Sequence, residues 1–188
     1  MDKYKSNARK ILEIACGTGN ILQSIKDNYE VEGLDISESM LAMARAKMPK
    51  INFYHQDMAN FPINTRYGVI YCFYDSINHV LDLSGWEGTF KSVSSHLESS
   101  GIFIFDMHTL NKLDQMTKRP PYFVEFDNNY LIMQVRKETE YSNIYLWDIK
   151  IFERITENGL YQLNQEIIKE TSFYFTNKNF RVNQLKNI

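Results

Sequence analysis

The first 109 residues alternate between short apolar runs and stretches with helical spacing, a pattern that commits a chain to a parallel sheet clothed by helices. Residues 10–15 (KILEIA), 31–35 (VEGLD), 51–57 (INFYHQD), 69–74 (VIYCFY) and 101–106 (GIFIFD) read as five strands. Residues 20–28, 37–48 and 86–98 read as helices between them. Ser37 is placed to cap the second helix and Pro49 to stop it. The runs VIYCFY and IFIF are apolar without alternation, as strands buried on both faces must be. The expected fold class is therefore α/β, a doubly wound, mostly parallel sheet.

Beyond Leu110 the period changes to two. Residues 122–126, 130–140, 143–154 and 160–175 are rich in β-branched and aromatic side chains, and polar residues alternate with apolar ones along them. Asp127-Asn128-Asn129, Tyr141-Ser142 and Asn158-Gly159 supply the turns of an antiparallel sheet that faces water on one side. The expected division is a core over residues 1–109, an antiparallel lid over 110–175 and a short C-terminal helix over 176–188. The aromatic residues of the lid serve strand packing, with a ligand pocket as the functional alternative.

Composition narrows the partners. No apolar run approaches the about 20 residues that cross a bilayer, so no membrane is expected. The first segment lacks the apolar core of a secretory signal. Cys16 and Cys72 both sit in apolar runs, which suits free thiols and a cytoplasmic location. Net charge is -2, with 10 Lys/Arg against 13 Asp/Glu in residues 1–109 and 11 against 10 in 110–188, so neither half offers nucleic acid a basic surface. His55, His79, His96 and His108 lack the close pairing of a zinc site, and no metal is expected.

The segment ILEIACGTGN carries the most chemistry. A strand ends at Ala15-Cys16, and Gly17-Thr18-Gly19 turn into a helix where backbone can approach a ligand. A lone G-x-G serves an ordinary strand–helix turn equally well. Leu22 stands where the dinucleotide fingerprint needs a third glycine, which counts against NAD. Glu13 is an acid inside a buried strand and needs a partner, a role that a cationic ligand group would fill. Asp35 ends the second strand, where a carboxylate can hold ribose hydroxyls, and Asp57-Met58 close the third. Asp57 alone is as readily a turn residue. Three such markers at consecutive strand ends mean more than any one.

The succession E-x-A-C-G-T-G, GLDIS-x-x-M-L, HQDM, VIYCFYDSINH and GIFIFD resembles the class I S-adenosylmethionine-dependent methyltransferases, and within them the small bacterial enzymes with an antiparallel lid after the fifth strand. The resemblance implies a Rossmann-like core with the lid appended, S-adenosyl-L-methionine as cofactor, and methyl transfer to an O or N atom of a small molecule. It implies that Gly17 and Gly19 approach the methionine part of the cofactor and that Glu13 lies near its ammonium. Asp35 would hold the ribose, Ile36 would pack on adenine, Asp57 would accept from the adenine amino group, and Met58 would donate its amide to the ring. Ala15, Met40 and Phe73 complete the implied cofactor set. Tyr74, His79 and His108, after strands four and five, are the candidates for catalysis. His79 reads equally as a helix-surface residue, and Ser76 more readily as a helix cap than as a substrate contact.

Two departures from that family are expected. Its members carry helices before the first strand, and here only Tyr4 could supply their aromatic contact; they also end in a sixth and seventh strand, for which residues 176–188 leave room only for a helix. The alternatives are that part of the lid takes the place of those strands, or that they are missing, as in a fragment of a longer protein, with the edge of strand five open unless the lid or a second subunit of a homodimer covers it. The rival reading is a methyltransferase-like binding module acting through a partner protein; RNA or protein methylation ranks below both for want of a basic groove.

Overall fold

The computed structural model describes residues 8–141, 143–156 and 159–173, which fall into two compact units. The first comprises residues 8–77 and 82–107, the second residues 78–81 and 108–173. Tyr4 and the expected helix over 176–188 lie outside the described residues.

In the first unit, β1 (Lys10–Ile14), β2 (Glu30–Asp35), β3 (Phe53–His55), β4 (Tyr67–Cys72) and β5 (Leu97–Phe105) form one parallel sheet in the order β3-β2-β1-β4-β5. Helices α1 (Asn20–Ile25), α2 (Glu38–Lys47) and α3 (Leu83–His96) connect them. Ile11, Leu12, Ile14, Leu34, Val69 and Ile70 are sealed from solvent, the double-sided burial that the unalternating runs require. The order reverses between β1 and β4, so the carboxyl ends of β1, β2 and β4 surround the switch point where such sheets take ligands.

The boundaries differ from expectation for local reasons. Ser37 caps α2 by accepting from Met40 N, as expected. β3 is only three residues, because Asp57 is already drawn into a turn by its own side chain. β4 stops at Cys72 because Tyr74 and Asp75 have φ of 60° and 56°, which no strand tolerates. α3 starts at Leu83 rather than Trp86, since Asp82 caps it by accepting from Gly85 N at 2.8 Å.

One buried acid lies within this sheet where no partner was expected. Glu32 accepts from Tyr67 Oη, from Tyr54 Oη at 3.2 Å and from Asn52 Nδ2 at 3.1 Å, and pairs with Lys10 Nζ at 3.3 Å. Burial pushes its carboxyl up, but the hydrogen bonds from Tyr67 and Asn52 and the Lys10 ammonium more than offset this and hold it below the usual range.

The second unit is a four-stranded antiparallel meander of β6 (Tyr122–Phe126), β7 (Asn129–Lys137), β8 (Ile144–Arg154) and β9 (Tyr161–Thr171). Asp127 and Asn128, at φ 48° and 61°, make the two-residue turn that pairs Phe126 with Asn129. Helix α4 (Leu110–Met116) was not expected; Leu110, Leu113 and Met116 at helical spacing behind the Thr109 cap are the signal for it. Leu113 packs with Val135, Tyr145 and Trp147, and Tyr145 Oη donates to Asp114 Oδ1 at 2.6 Å.

Candidate functional site

The turn from β1 to α1 is built on left-handed backbone. Ala15, Gly17 and Gly19 have φ of 56°, 53° and 74°. The two glycines have different tasks. A side chain on Gly19 would meet Met48 Cε at 2.6 Å, so this glycine lets α1 close on α2. A side chain on Gly17 would only touch Met40 Sδ at 3.6 Å, which leaves its strand-end surface open. Gly33, unremarked in the sequence, is as constrained as Gly19: a Cβ there would stand 2.8 Å from both Cys16 Sγ and the Phe53 ring.

Asp35 ties the site together. Its Oδ2 accepts from Gly17 N at 2.7 Å and its Oδ1 from Ser37 N at 2.8 Å, so one buried carboxylate holds both strand-end turns. The Gly17 amide is thus spent within the protein, while each carboxylate oxygen keeps acceptor capacity beyond one hydrogen bond. Beside it, Ile36 and Met40 are 69% and 46% exposed, and His55 Nε2 lies 2.9 Å from the Ile36 carbonyl oxygen. These apolar side chains at a carboxylate's flank make a shelf that a flat ring could cover.

Glu13 is the unusual group. It is 4% exposed, and its Oε2 and the hydroxyl of the neighbouring Tyr71 are buried without completing a hydrogen bond. Burial raises its carboxyl to about 8; the Tyr71 phenol and the Leu22 amide oppose the rise without cancelling it, and Asp35 adds to it. Burial likewise pushes the Cys16 thiol up and that of Cys72 to about 12 (both are free), so neither is a nucleophile.

The remaining first-unit candidates spread around this centre. Asp57 is exposed and accepts from Ala59 N at 2.8 Å, the turn role, beside the half-buried Met58. Phe73 stacks on Tyr71 with ring centroids 4.9 Å apart. Tyr74 is 77% exposed on strained backbone, and Asp106 Oδ1 accepts from the Asp75 amide at 3.0 Å. Ser76 does not cap a helix: its hydroxyl donates to the Phe73 carbonyl at 2.8 Å.

The two histidines belong to the second unit. His79 is exposed, its Nδ1 3.4 Å from Lys169 O. His108 is held on every side: Asn78 accepts from its amide and donates to its carbonyl, both at 2.9 Å; its ring stacks on Trp147 at 5.6 Å; and Nδ1 lies 3.2 Å from Glu170 Oε2. Asn78 is buried and also donates to Thr171 O at 2.6 Å. Neither Asn78 nor Glu170 was legible as a site residue, since their partners lie 30 to 93 positions away. Among the described residues no His, Cys, Asp or Glu cluster could hold a metal, and no helix is long and apolar enough to cross a membrane.

Comparison with known proteins accords with this arrangement. Residues 11–101 match the family model described as "Methyltransferase domain". Over these residues the chain is similar to the class I S-adenosylmethionine-dependent methyltransferases. A Geobacillus sp. (strain WCH70) protein that carries a methyltransferase name is 32% identical over 117 residues, 60% of this chain and 47% of that protein. The dTDP-3-amino-3,6-dideoxy-alpha-D-glucopyranose N,N-dimethyltransferase of Streptomyces fradiae is 30% identical over 105 residues, 55% of this chain and 41% of the relative. The chain thus spans less than half the length of either. The crystal structure of an S-adenosylmethionine-dependent methyltransferase from Clostridium acetobutylicum ATCC 824 superposes with a TM-score of 0.79 at 26% identity, over 95% of this chain and 71% of that one. These likenesses are to transferases, and a binding module acting through a partner protein is not favoured.

Proposed function

We propose that the first unit binds S-adenosyl-L-methionine and that the chain serves transfer of its methyl group to an N or O atom of a small molecule, with an amino group preferred. The observation that carries this reading is Glu13: a buried carboxyl with an unpartnered oxygen and a raised pKa, beside a strand-end turn whose Gly17 leaves room for a ligand. Such a group gains most from a cation, and the cofactor's methionine end carries an ammonium. The other residues fit the rest of the molecule. Asp35 has acceptor capacity for ribose hydroxyls, Ile36 and Met40 offer the apolar shelf for adenine, and Asp57 and Met58 stand at the next strand end for the ring's edge. Ala15 and Phe73 flank the turn and the Tyr71 ring.

The cofactor, when bound, supplies a methyl already activated on a sulfonium, so positioning of the acceptor provides most of the rate. A base is needed only where the acceptor starts protonated, as an amine does. His108 is our choice, its Nδ1 facing Glu170; His79 and Tyr74 rank behind it. Relatives named as dTDP-amino-sugar N,N-dimethyltransferases support the preference for an amine. Two free thiols fit a cytoplasmic setting, and the net charge of -2 favours a small acceptor over nucleic acid.

Calorimetric titration with S-adenosylhomocysteine, with NADH as control, tests the reading. Micromolar binding of the first alone, with proton release on binding near pH 7, is expected as Glu13 ionises against the ammonium. A folded chain that binds neither ligand overturns it.

A further inference from the structure

We infer that β9 is a self-association edge, through which two copies of this chain join their antiparallel sheets. Two sets of contacts fix which way its backbone points. Ile155 N donates to Leu160 O at 3.0 Å, and the β8–β9 pairs continue that register from Arg154↔Tyr161 to Ile144↔Thr171. In an antiparallel ladder the bonded pairs alternate, so the even-numbered residues of β9 turn their amides and carbonyls toward β8. Odd-numbered ones turn outward. Independently, Thr171 O accepts from Asn78 Nδ2 and Lys169 O lies within reach of His79 Nδ1, so both carbonyls do point outward.

Those two contacts occupy the outer edge at its C-terminal end. Among the described residues nothing pairs with the outward groups of Tyr161, Leu163, Gln165 and Ile167. The opposite edge is guarded: β6 is five residues long and follows Pro120-Pro121. β9 runs eleven residues with no proline and no break in register. By the alternation of the sheet, the side chains of Tyr161, Leu163 and Ile167, 37%, 49% and 47% exposed, share the face that carries Tyr130 and Phe123. Tyr130 already packs on Phe123 and on Tyr161, at 5.7 and 5.4 Å between ring centroids. An unguarded edge of this length beside an apolar stripe invites another strand.

The chemistry of residues 161–167 names that strand as its own copy. A two-fold axis through Asn164 sets Tyr161 against the second copy's Ile167, Gln162 against its Glu166 and Leu163 against its Gln165. Every outward amide and carbonyl of the open stretch then finds a partner, an aromatic faces a β-branched side chain, and no like charges meet. Moving the axis to Glu166 would oppose two carboxylates, so charge rules that register out, and the Asn164 axis is the one that pairs all four outward residues among themselves. This inference is independent of the methyl-transfer reading.

Sedimentation equilibrium of the full chain over a concentration series tests it. The wild type is expected at twice the chain mass. Gln165→Pro deletes an outward amide that β8 does not use, and should give a monomer with unchanged circular dichroism. Tyr161→Glu and Ile167→Lys, which spare the backbone, should each weaken the dimer at least tenfold; combined in one chain they should restore it, because the introduced acid of one copy faces the introduced amine of the other. A wild type that is monomeric throughout, or a dimer indifferent to Gln165→Pro and Ile167→Lys, overturns the inference. Single variants that weaken the dimer without rescue by the pair overturn the Asn164-centred register.

Discussion

Two buried glutamates sit on adjacent strands of the parallel sheet, one register step apart and therefore on opposite faces, and their fates differ. Glu32 has Tyr67, Tyr54, Asn52 and Lys10 as partners and a carboxyl held low. Glu13, on the other face, has an oxygen that bonds to nothing and a carboxyl raised to about 8. The sheet's chemistry is thus divided. One face uses a charge to hold strands together, and the other keeps a carboxyl whose hydrogen bonding the protein alone leaves incomplete. A buried acid marks a binding site only where its environment leaves it incomplete.

The largest expected effect falls on the satisfied member. Glu32→Ala leaves Lys10, Tyr67, Tyr54 and Asn52 facing a gap and should cost about 3–5 kcal/mol in urea unfolding. Where the variant remains folded, its affinity for S-adenosylhomocysteine should match the wild type's. A loss of affinity as large as that of Glu13→Gln would erase the contrast.

Glu13→Gln should act in the opposite sense on stability. Because the folded carboxyl titrates near 8 and the unfolded one near 4.5, the native state holds the extra proton between those values, and wild-type stability falls as pH rises through them. The glutamine variant should lack that slope and be more stable than wild type by a few kcal/mol at pH 8, on the order of the shift itself. Its ligand affinity should drop by about 1–3 kcal/mol for loss of the charged hydrogen bond. Parallel pH slopes for variant and wild type would show that the acid is not perturbed.

Of these two acids, only Glu13 stood out from the sequence, although both are acids inside apolar runs. The partners of Glu32 come from β1, from β4 and from the segment around β3, and nothing in VEGLD announces which strands will flank it. Sheet order does that, and it emerges from crossovers that local spacing does not encode. The same limit hid Asn78 and Glu170. By contrast, Ser37, Asp35, the Gly17–Gly19 turn and the Asp127-Asn128 turn were legible because their work is done within a few residues or at a strand's end. Helix α4 was lost differently: seven residues between two β-rich regions give helical spacing little room to declare itself. The positive φ of Ala15 and Tyr74 had no signal at all, since neither is glycine, asparagine or aspartate.

Smaller effects sharpen the picture. Glu170→Gln should lower kcat for an amine acceptor about tenfold by weakening the hold on the imidazolium, with the cofactor KM unchanged. A rise in cofactor KM alone would remove His108 from the catalytic role. Asp57→Ala should cost only about 0.5–1 kcal/mol of stability for the lost turn hydrogen bond. Calorimetry on the same variant would tell whether Asp57 contributes to ligand binding beyond that turn.

The strap formed by Asn78 has a consequence for how this protein can be rebuilt. The chain passes from one unit to the other between residues 77 and 78, 81 and 82, and 107 and 108. The antiparallel sheet is therefore not a cassette that can be lifted out as a single uninterrupted stretch. A chimera that exchanges residues 108–173 with those of a relative, but leaves 78–81 behind, would strand a buried amide against carbonyls it did not evolve with. Recombination that preserves this unit has to carry residues 78–81, which interrupt the other unit in sequence, along with it.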